Sequence, residues 1–326
     1  MIRLFSETNP LNILLLFLLG AVIRIPFFVA PDLPDLHPDS GYLYVLFFRS
    51  FDSIFRMAPF ASSILAYLLI FIQGLSVNGF INSQKLFGSS HLLFVFAYVL
   101  FTTLLPEWNY VSPFLLINGL MTLILPKLAQ LYQGKNIQGS LFSIAIMIGI
   151  CSLLYKPAII LVVFLYISLS IFRPFHLSEW ILILIGACFP YYLILVYDYV
   201  WDRWPEAVYL LPYHSWDWPV FKRNPSDLIA IGLLIIPTLL GFFWVRGYSL
   251  RMLAVQRKIW AALFAYIMVA IVFIFASQNP SYENYLLFLL PASFYLTGFF
   301  YYPSVKFLPS LFPWLIFGFL VVRNVL

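Results

Sequence analysis

Arg24, Asp32, Asp35, His37 and Asp39 fall within one stretch, residues 23–57, which reads IRIPFFVAPDLPDLHPDSGYLYVLFFRSFDSIFRM. The arginine sits deep in the first hydrophobic segment, and three aspartates and a histidine follow in a proline-rich loop. A charge inside an apolar span costs about 2.5–3.5 kcal/mol on insertion scales and marks a functional residue by default. Carboxylates at a membrane edge offer a base for a hydroxyl proton, and fixed cations nearby offer charge to a departing anion. No other apolar segment has ionisable groups so dense beside it. The stretch reads as the reactive centre of a membrane enzyme working at the outer face of its bilayer. The same residues also suit a solvated Asp/Pro turn, and Arg24 is near enough to the end of its segment to snorkel.

The elements that must hold these groups are membrane spans. Of 326 residues, 63% are hydrophobic, 20% aromatic and 10% charged, where a soluble domain carries about 25% charged residues. The net charge of +5 comes from basic residues scattered among loops, which fits membrane orientation rather than nucleic-acid binding. Cys151 and Cys188 lie in apolar segments and suit core packing, not a disulfide or metal site. The first apolar run lacks a small-residue cleavage site and reads as a retained anchor.

On a ruler of about 20 apolar residues per span, about eleven segments emerge. They are 11–30, 60–80, 87–105, 111–131, 138–155, 157–172, 176–199, 226–246, 257–277, 284–301 and 307–325. The predicted fold is an all-α polytopic membrane protein. Residues 1–200 form a first module of seven spans, and residues 201–326 add an aromatic loop and four more. With the N-terminus inside, ten basic residues from Arg3 to Lys306 fall on the inner side, and of the acids only Glu7 and Glu179 do. The remaining carboxylates lie outside, so the chemistry is expected there. The longest loop, Trp201 to Arg223, is rich in Trp, Tyr and Pro and includes His214. It is either an aromatic belt or a lid over substrate. No N-x-[ST] acceptor is present, which leans toward a bacterial membrane.

In residues 41–57, Arg49, Asp52, Ser53 and Arg56 recur at helical spacing on one face. Tyr44, Phe47, Phe48, Phe51, Ile54 and Phe55 cover the other, as in a helix lying within the interface. Asp52 and Arg56 stand at i,i+4.

Taken together, these features resemble the polytopic glycosyltransferases of the GT-C fold, in the branch of the protein O-mannosyltransferases and the lipid A aminoarabinose transferase. The residues that carry the likeness are Arg24, the run Asp39-Ser40-Gly41-Tyr42 and the interfacial helix after it. Further along are Leu86-Phe87-Gly88, Leu105-Pro106, the GICSLLYKP stretch ending at Lys156-Pro157, and Pro190-Tyr191-Tyr192. Ser281-Tyr282-Glu283-Asn284-Tyr285 with Pro291 completes the set. Two positions depart from the family pattern. Ser40 stands in place of a second acid, which speaks against metal dependence. Asn284 stands in place of an arginine, which leaves open a non-catalytic relative or a different phosphate-binding set.

The resemblance implies transfer of a sugar, mannose by preference, from a polyprenyl-phosphate donor to a protein or glycan hydroxyl outside the membrane, with inversion. On that reading Asp39 is the general base, with Asp35 the runner-up and Asp32 third. Lys156 and Arg24 meet the donor phosphate, with Arg49 and Arg56 as lesser candidates. His37, Tyr42, Tyr282 and Tyr285 contact substrate. His37 has the chemistry of a metal ligand beside Asp35 and Asp39, yet no metal site and no cofactor are predicted. The other classes are a transporter or flippase of lipid-linked substrates, for which no broken-helix repeats are found, and a non-catalytic scaffold in a membrane complex.

Overall fold

The computed structural model describes residues 5, 7–132, 134, 137–202, 225–275, 281–303 and 307–325. The long aromatic loop, including His214, lies outside the described residues apart from Trp201 and Asp202.

Thirteen helices are described: α1 (Pro10–Ile23), α2 (Ile25–Val29), α3 (Tyr42–Met57), α4 (Phe60–Ser83), α5 (Leu93–Phe101), α6 (Pro113–Leu131), α7 (Ile137–Leu154), α8 (Leu161–Phe172), α9 (Leu177–Val200), α10 (Pro225–Tyr248), α11 (Ala254–Phe275), α12 (Leu286–Tyr301) and α13 (Phe307–Val325). Among the described residues there is no strand, and one isolated bridge joins Ser40 to Tyr155. Six helices, α4, α6, α7, α9, α10 and α11, are long and apolar enough to cross a membrane. The chain is therefore a polytopic membrane protein.

Local chemistry sets the helix ends. Asn9 caps α1 by accepting from the Leu11 amide at 3.2 Å, with Pro10 in the first turn. Ser112 caps α6 in the same way from Leu115 at 3.3 Å, ahead of Pro113. The predicted span 11–30 is divided: α1 stops at Arg24 and the short α2 follows. Pro26 has no N–H for the Val22 carbonyl, so the ladder cannot run through. The Arg24 amide instead turns back to the Ala21 carbonyl at 3.1 Å. The predicted span 87–105 holds only the nine-residue α5.

α5 and α12 form the centre. Every residue of α5 is buried, and so is nearly all of α12. α12 packs against α5, α6, α10 and α11, and α8 packs against α11, so residues on both sides of position 200 share one hydrophobic core. Close approach of α10 to α12 depends on Gly241, where a Cβ would stand 1.9 Å from the Tyr295 carbonyl oxygen. Where α10 begins, Asp227 pairs with Arg323 of α13 at 2.8 Å, and Arg323 also donates to the Leu104 carbonyl at 3.0 Å.

α3 has the amphipathic form expected. Tyr44 and Phe55 are buried, and Arg49 and Arg56 are exposed, as are Phe51 and Ile54 at the flanks. Its rings line one side, Phe47 tilted against Phe51 at 4.8 Å and Phe51 stacked on Phe55 at 5.9 Å. Cys151 is buried as expected, whereas Cys188 is exposed on the outer side of α9.

Candidate functional site

The aspartate loop is fastened to the end of α7 by backbone bonds. Gly41 N–H donates to the Leu154 carbonyl at 2.9 Å, and Lys156 N–H donates to the Asp39 carbonyl at 3.0 Å. Gly41 is required here: a Cβ would stand 2.1 Å from the Leu153 carbonyl oxygen, a clash with backbone that no side-chain movement relieves. This pairing brings Asp39 and Lys156 together across more than a hundred residues of sequence. Asp39 is only 3% exposed, and its Oδ2 accepts from the Tyr155 hydroxyl at 3.3 Å. Lys156 Nζ reaches toward the Pro38 carbonyl at 3.5 Å.

A second cluster adjoins the first. His37 Nε2 lies 3.2 Å from Glu283 Oε1, and the Tyr110 hydroxyl donates to the same oxygen. His37 N–H donates to Ser40 Oγ at 3.0 Å, which joins this cluster to the Asp39 loop. The Glu283 hydrogen bond raises the His37 pKa above 6.5, against the opposing effect of burial, and the charges of Glu283, Asp35 and Asp39 add to the rise. Burial, reinforced by the Glu283 carboxylate, pushes the Tyr110 hydroxyl up, so it remains a donor. Burial likewise raises Glu107 nearby.

The turn that carries Glu283 spans Tyr282–Tyr285. Trp108 Nε1–H donates to the Tyr282 carbonyl at 2.8 Å, and the Tyr282 and Tyr285 rings lie 6.1 Å apart. From here an apolar groove of about 410 Å³ runs between α10, α11 and α12. Trp108 and Tyr285 line its near end; Leu234, Thr238, Ile271 and Phe242 line its length. The Tyr155 ring, which holds Asp39, lies 5.7 Å from Phe273, one residue short of the groove wall at Ile274.

The remaining predicted residues divide. Tyr42 is half-buried in the first turn of α3, against Leu153. Asp35 is exposed and lines a shallow recess of about 160 Å³ with Asp52, Phe48 and Arg56. Arg56 pairs with Asp52 at 2.9 Å, and Arg49 is exposed. Arg24 points elsewhere. It is 1% exposed, donates to Asn109 Oδ1 and the Val99 carbonyl at 3.1 Å each and to the Thr102 hydroxyl, and lies 4.9 Å from the Tyr67 ring centre. Asn284 is fully buried and makes no side-chain hydrogen bond among the described residues. Among the described residues no group of three or more His, Cys, Asp and Glu side chains is placed to hold a metal ion.

Glu283, Tyr110, Tyr155 and Trp108 belong to the site although the sequence assigns no role to any of them; Glu283 and Tyr155 appear there only within motif stretches. Glu283 gave one signal, a carboxylate entering an apolar span, but nothing local ties it to His37, 246 residues away.

No family model, no curated protein and no solved structure matches this chain.

Proposed function

We propose that the protein is a membrane glycosyltransferase that moves a sugar from a polyprenyl-phosphate donor to an acceptor hydroxyl, with the reaction at the aspartate-loop face. The apolar groove carries this reading. It is long and almost wholly hydrocarbon-lined, and it ends at the Trp108–Tyr285 turn beside the polar cluster, as a lipid-linked donor requires. Asp39 takes the acceptor proton, and the acceptor oxygen attacks the anomeric carbon. The bond to the lipid phosphate breaks with inversion, and Lys156 meets the charge left on that phosphate. Arg49 and Arg56, exposed on α3, are available to the approaching headgroup. Arg24 donates through Nε to Asn109 and through Nη2 to Val99 and Thr102, with Nη1 buried and unpartnered among the described residues, so its part is to tie α1 to the end of α5 and to Asn109 rather than to touch phosphate. Mannose as the sugar, a protein or glycan acceptor, and a bacterial cytoplasmic membrane with the site facing outward follow from the resemblance.

The test is transfer by purified protein supplied with a polyprenyl-phosphate sugar. Asp39→Asn is expected to abolish product while abundance and Tm hold, and unchanged transfer ends the assignment. Ile271→Trp, which fills the groove, is expected to raise KM for a long-chain donor more than for a short-chain one. Flux of donor in sealed vesicles with no glycosylated product would replace this reading with transport.

A further inference from the structure

The face opposite the aspartate loop carries a second cavity of about 430 Å³, where the ends of α4 and α12 meet the connection between α10 and α11. Its lining differs in kind from the groove. Lys85, Arg251, Gln256, Tyr248, Tyr301 and Tyr302 supply polar atoms, and Leu86, Phe87 and Met252 supply an apolar side. Neither Lys85 nor Arg251 has a carboxylate within ion-pair distance among the described residues. Of the acids on this face, Glu179 is paired with Arg173 at 3.2 Å, and Glu7 does not line the cavity.

The frame around the two cations is built, not loose. Gln256 donates to the Lys85 carbonyl at 2.6 Å and accepts from the Leu253 N–H at 3.0 Å, which stitches the end of α4 to the start of α11. Lys85 is held at φ 50°, a conformation that favours glycine. Tyr248 stacks on Tyr302 with ring centres 4.4 Å apart, and the Arg251 guanidinium lies 5.9 Å from the Tyr248 ring. His91, behind the Phe87 and Tyr301 walls, is fully buried with neither ring nitrogen hydrogen-bonded among the described residues. Burial holds its pKa down at about 4, so it is neutral, and among the described lining residues the charge comes from Lys85 and Arg251.

We infer that this cavity binds a phosphate ester, its anionic oxygens between Lys85 and Arg251 and its organic part against the aromatic and apolar wall. The cavity is several times larger than a bare phosphate needs, and its mixed lining fits an anion that carries an organic group. An anionic phospholipid headgroup and a soluble phosphate ester share that chemistry. The site is remote from the groove and stands independently of the transfer reading.

The test uses the full chain in neutral detergent, with phosphatidylglycerol, net-neutral phosphatidylcholine and inorganic pyrophosphate as probes, read by native mass spectrometry and calorimetry. One phosphatidylglycerol is expected to bind about tenfold more tightly than phosphatidylcholine, the size of one charge-assisted contact. Pyrophosphate binding without lipid preference assigns the soluble ester instead. Arg251→Gln and Lys85→Gly are each expected to weaken binding of the preferred probe about tenfold. Lys85→Gly suits the positive φ, so it removes the ammonium without straining the backbone. Arg257→Gln, exposed on the same face but outside the cavity, is expected to change nothing. If neither probe binds in preference to phosphatidylcholine, or if Lys85→Gly and Arg251→Gln bind as the parent does, the inference is overturned.

Discussion

At the aspartate-loop face three buried or half-buried charges have partners within the protein: His37 with Glu283, Asp39 with Tyr155, and Asp227 with Arg323, while Asp198 at the end of α9 is buried with no hydrogen bond to its carboxylate among the described residues. At the opposite face Lys85 and Arg251 border a cavity with no carboxylate in reach among the described residues, and one of them sits on a strained backbone. The contrast separates charge used to hold a structure from charge held out for something else. In the first region removing a charge leaves its partner stranded in a poor solvent. In the second, removing a charge strands nothing.

Four substitutions test that contrast. Arg323→Met is expected to have the largest effect, a loss of about 3 kcal/mol, because it leaves the buried Asp227 carboxylate without its cation, with only the Tyr282 hydroxyl beside it. Denaturation in detergent measures it, and a loss below about 1 kcal/mol would mean that Asp227 finds water or another donor. Glu283→Gln is expected to cost about 1–2 kcal/mol and to bring the His37 pKa back down toward 6.5, read by NMR titration. The sign follows from linkage. Because His37 holds its proton more tightly when folded, the pairing stabilises fully below 6.5 and is lost as pH rises through the folded value. Tm is therefore expected to fall with rising pH in the parent and to flatten in Glu283→Gln. Lys85→Gly should go the other way and raise stability by about 1 kcal/mol, since a side chain in the left-handed region costs about that much. Destabilisation there would show that the ammonium has a structural partner. Asp52→Asn, in the solvent-exposed pair with Arg56, is expected to change stability by no more than about 0.5 kcal/mol.

What was legible in the sequence was what short-range physics controls. The amphipathic α3 follows from the spacing of Arg49, Asp52 and Arg56; Tyr44 and Phe55 are buried as that spacing assigns, while Phe51 and Ile54 at the flanks of the apolar face are exposed. The meeting of Asp39 with Lys156 had been anticipated only through a family likeness, and the bond between their backbones brings it about. The break at Arg24 could have been read from Pro26, but an unbroken apolar run from 11 to 30 masked it. Residues 87–105 are apolar enough for a span, yet the first part turns through Gly88, Ser89 and Ser90 before α5 begins. The His37–Glu283–Tyr110 cluster had no local signature, since three separate stretches supply one residue each. The cation cavity was hidden for the opposite reason: Lys85 and Arg251 look like ordinary inner-loop charges until the helix ends that carry them are placed side by side.

The burial of α12 bears on how the molecule comes to be made. This helix fills the space enclosed by α5, α6, α10 and α11, yet it follows all four of them in the chain. A nascent protein halted before Tyr282 would hold its earlier helices around an unfilled trough, with α5 short of its main companion. Translation must therefore run far toward the C-terminal end before the interior can close, and a premature stop there leaves quality-control proteases an open target rather than a slightly shortened membrane protein.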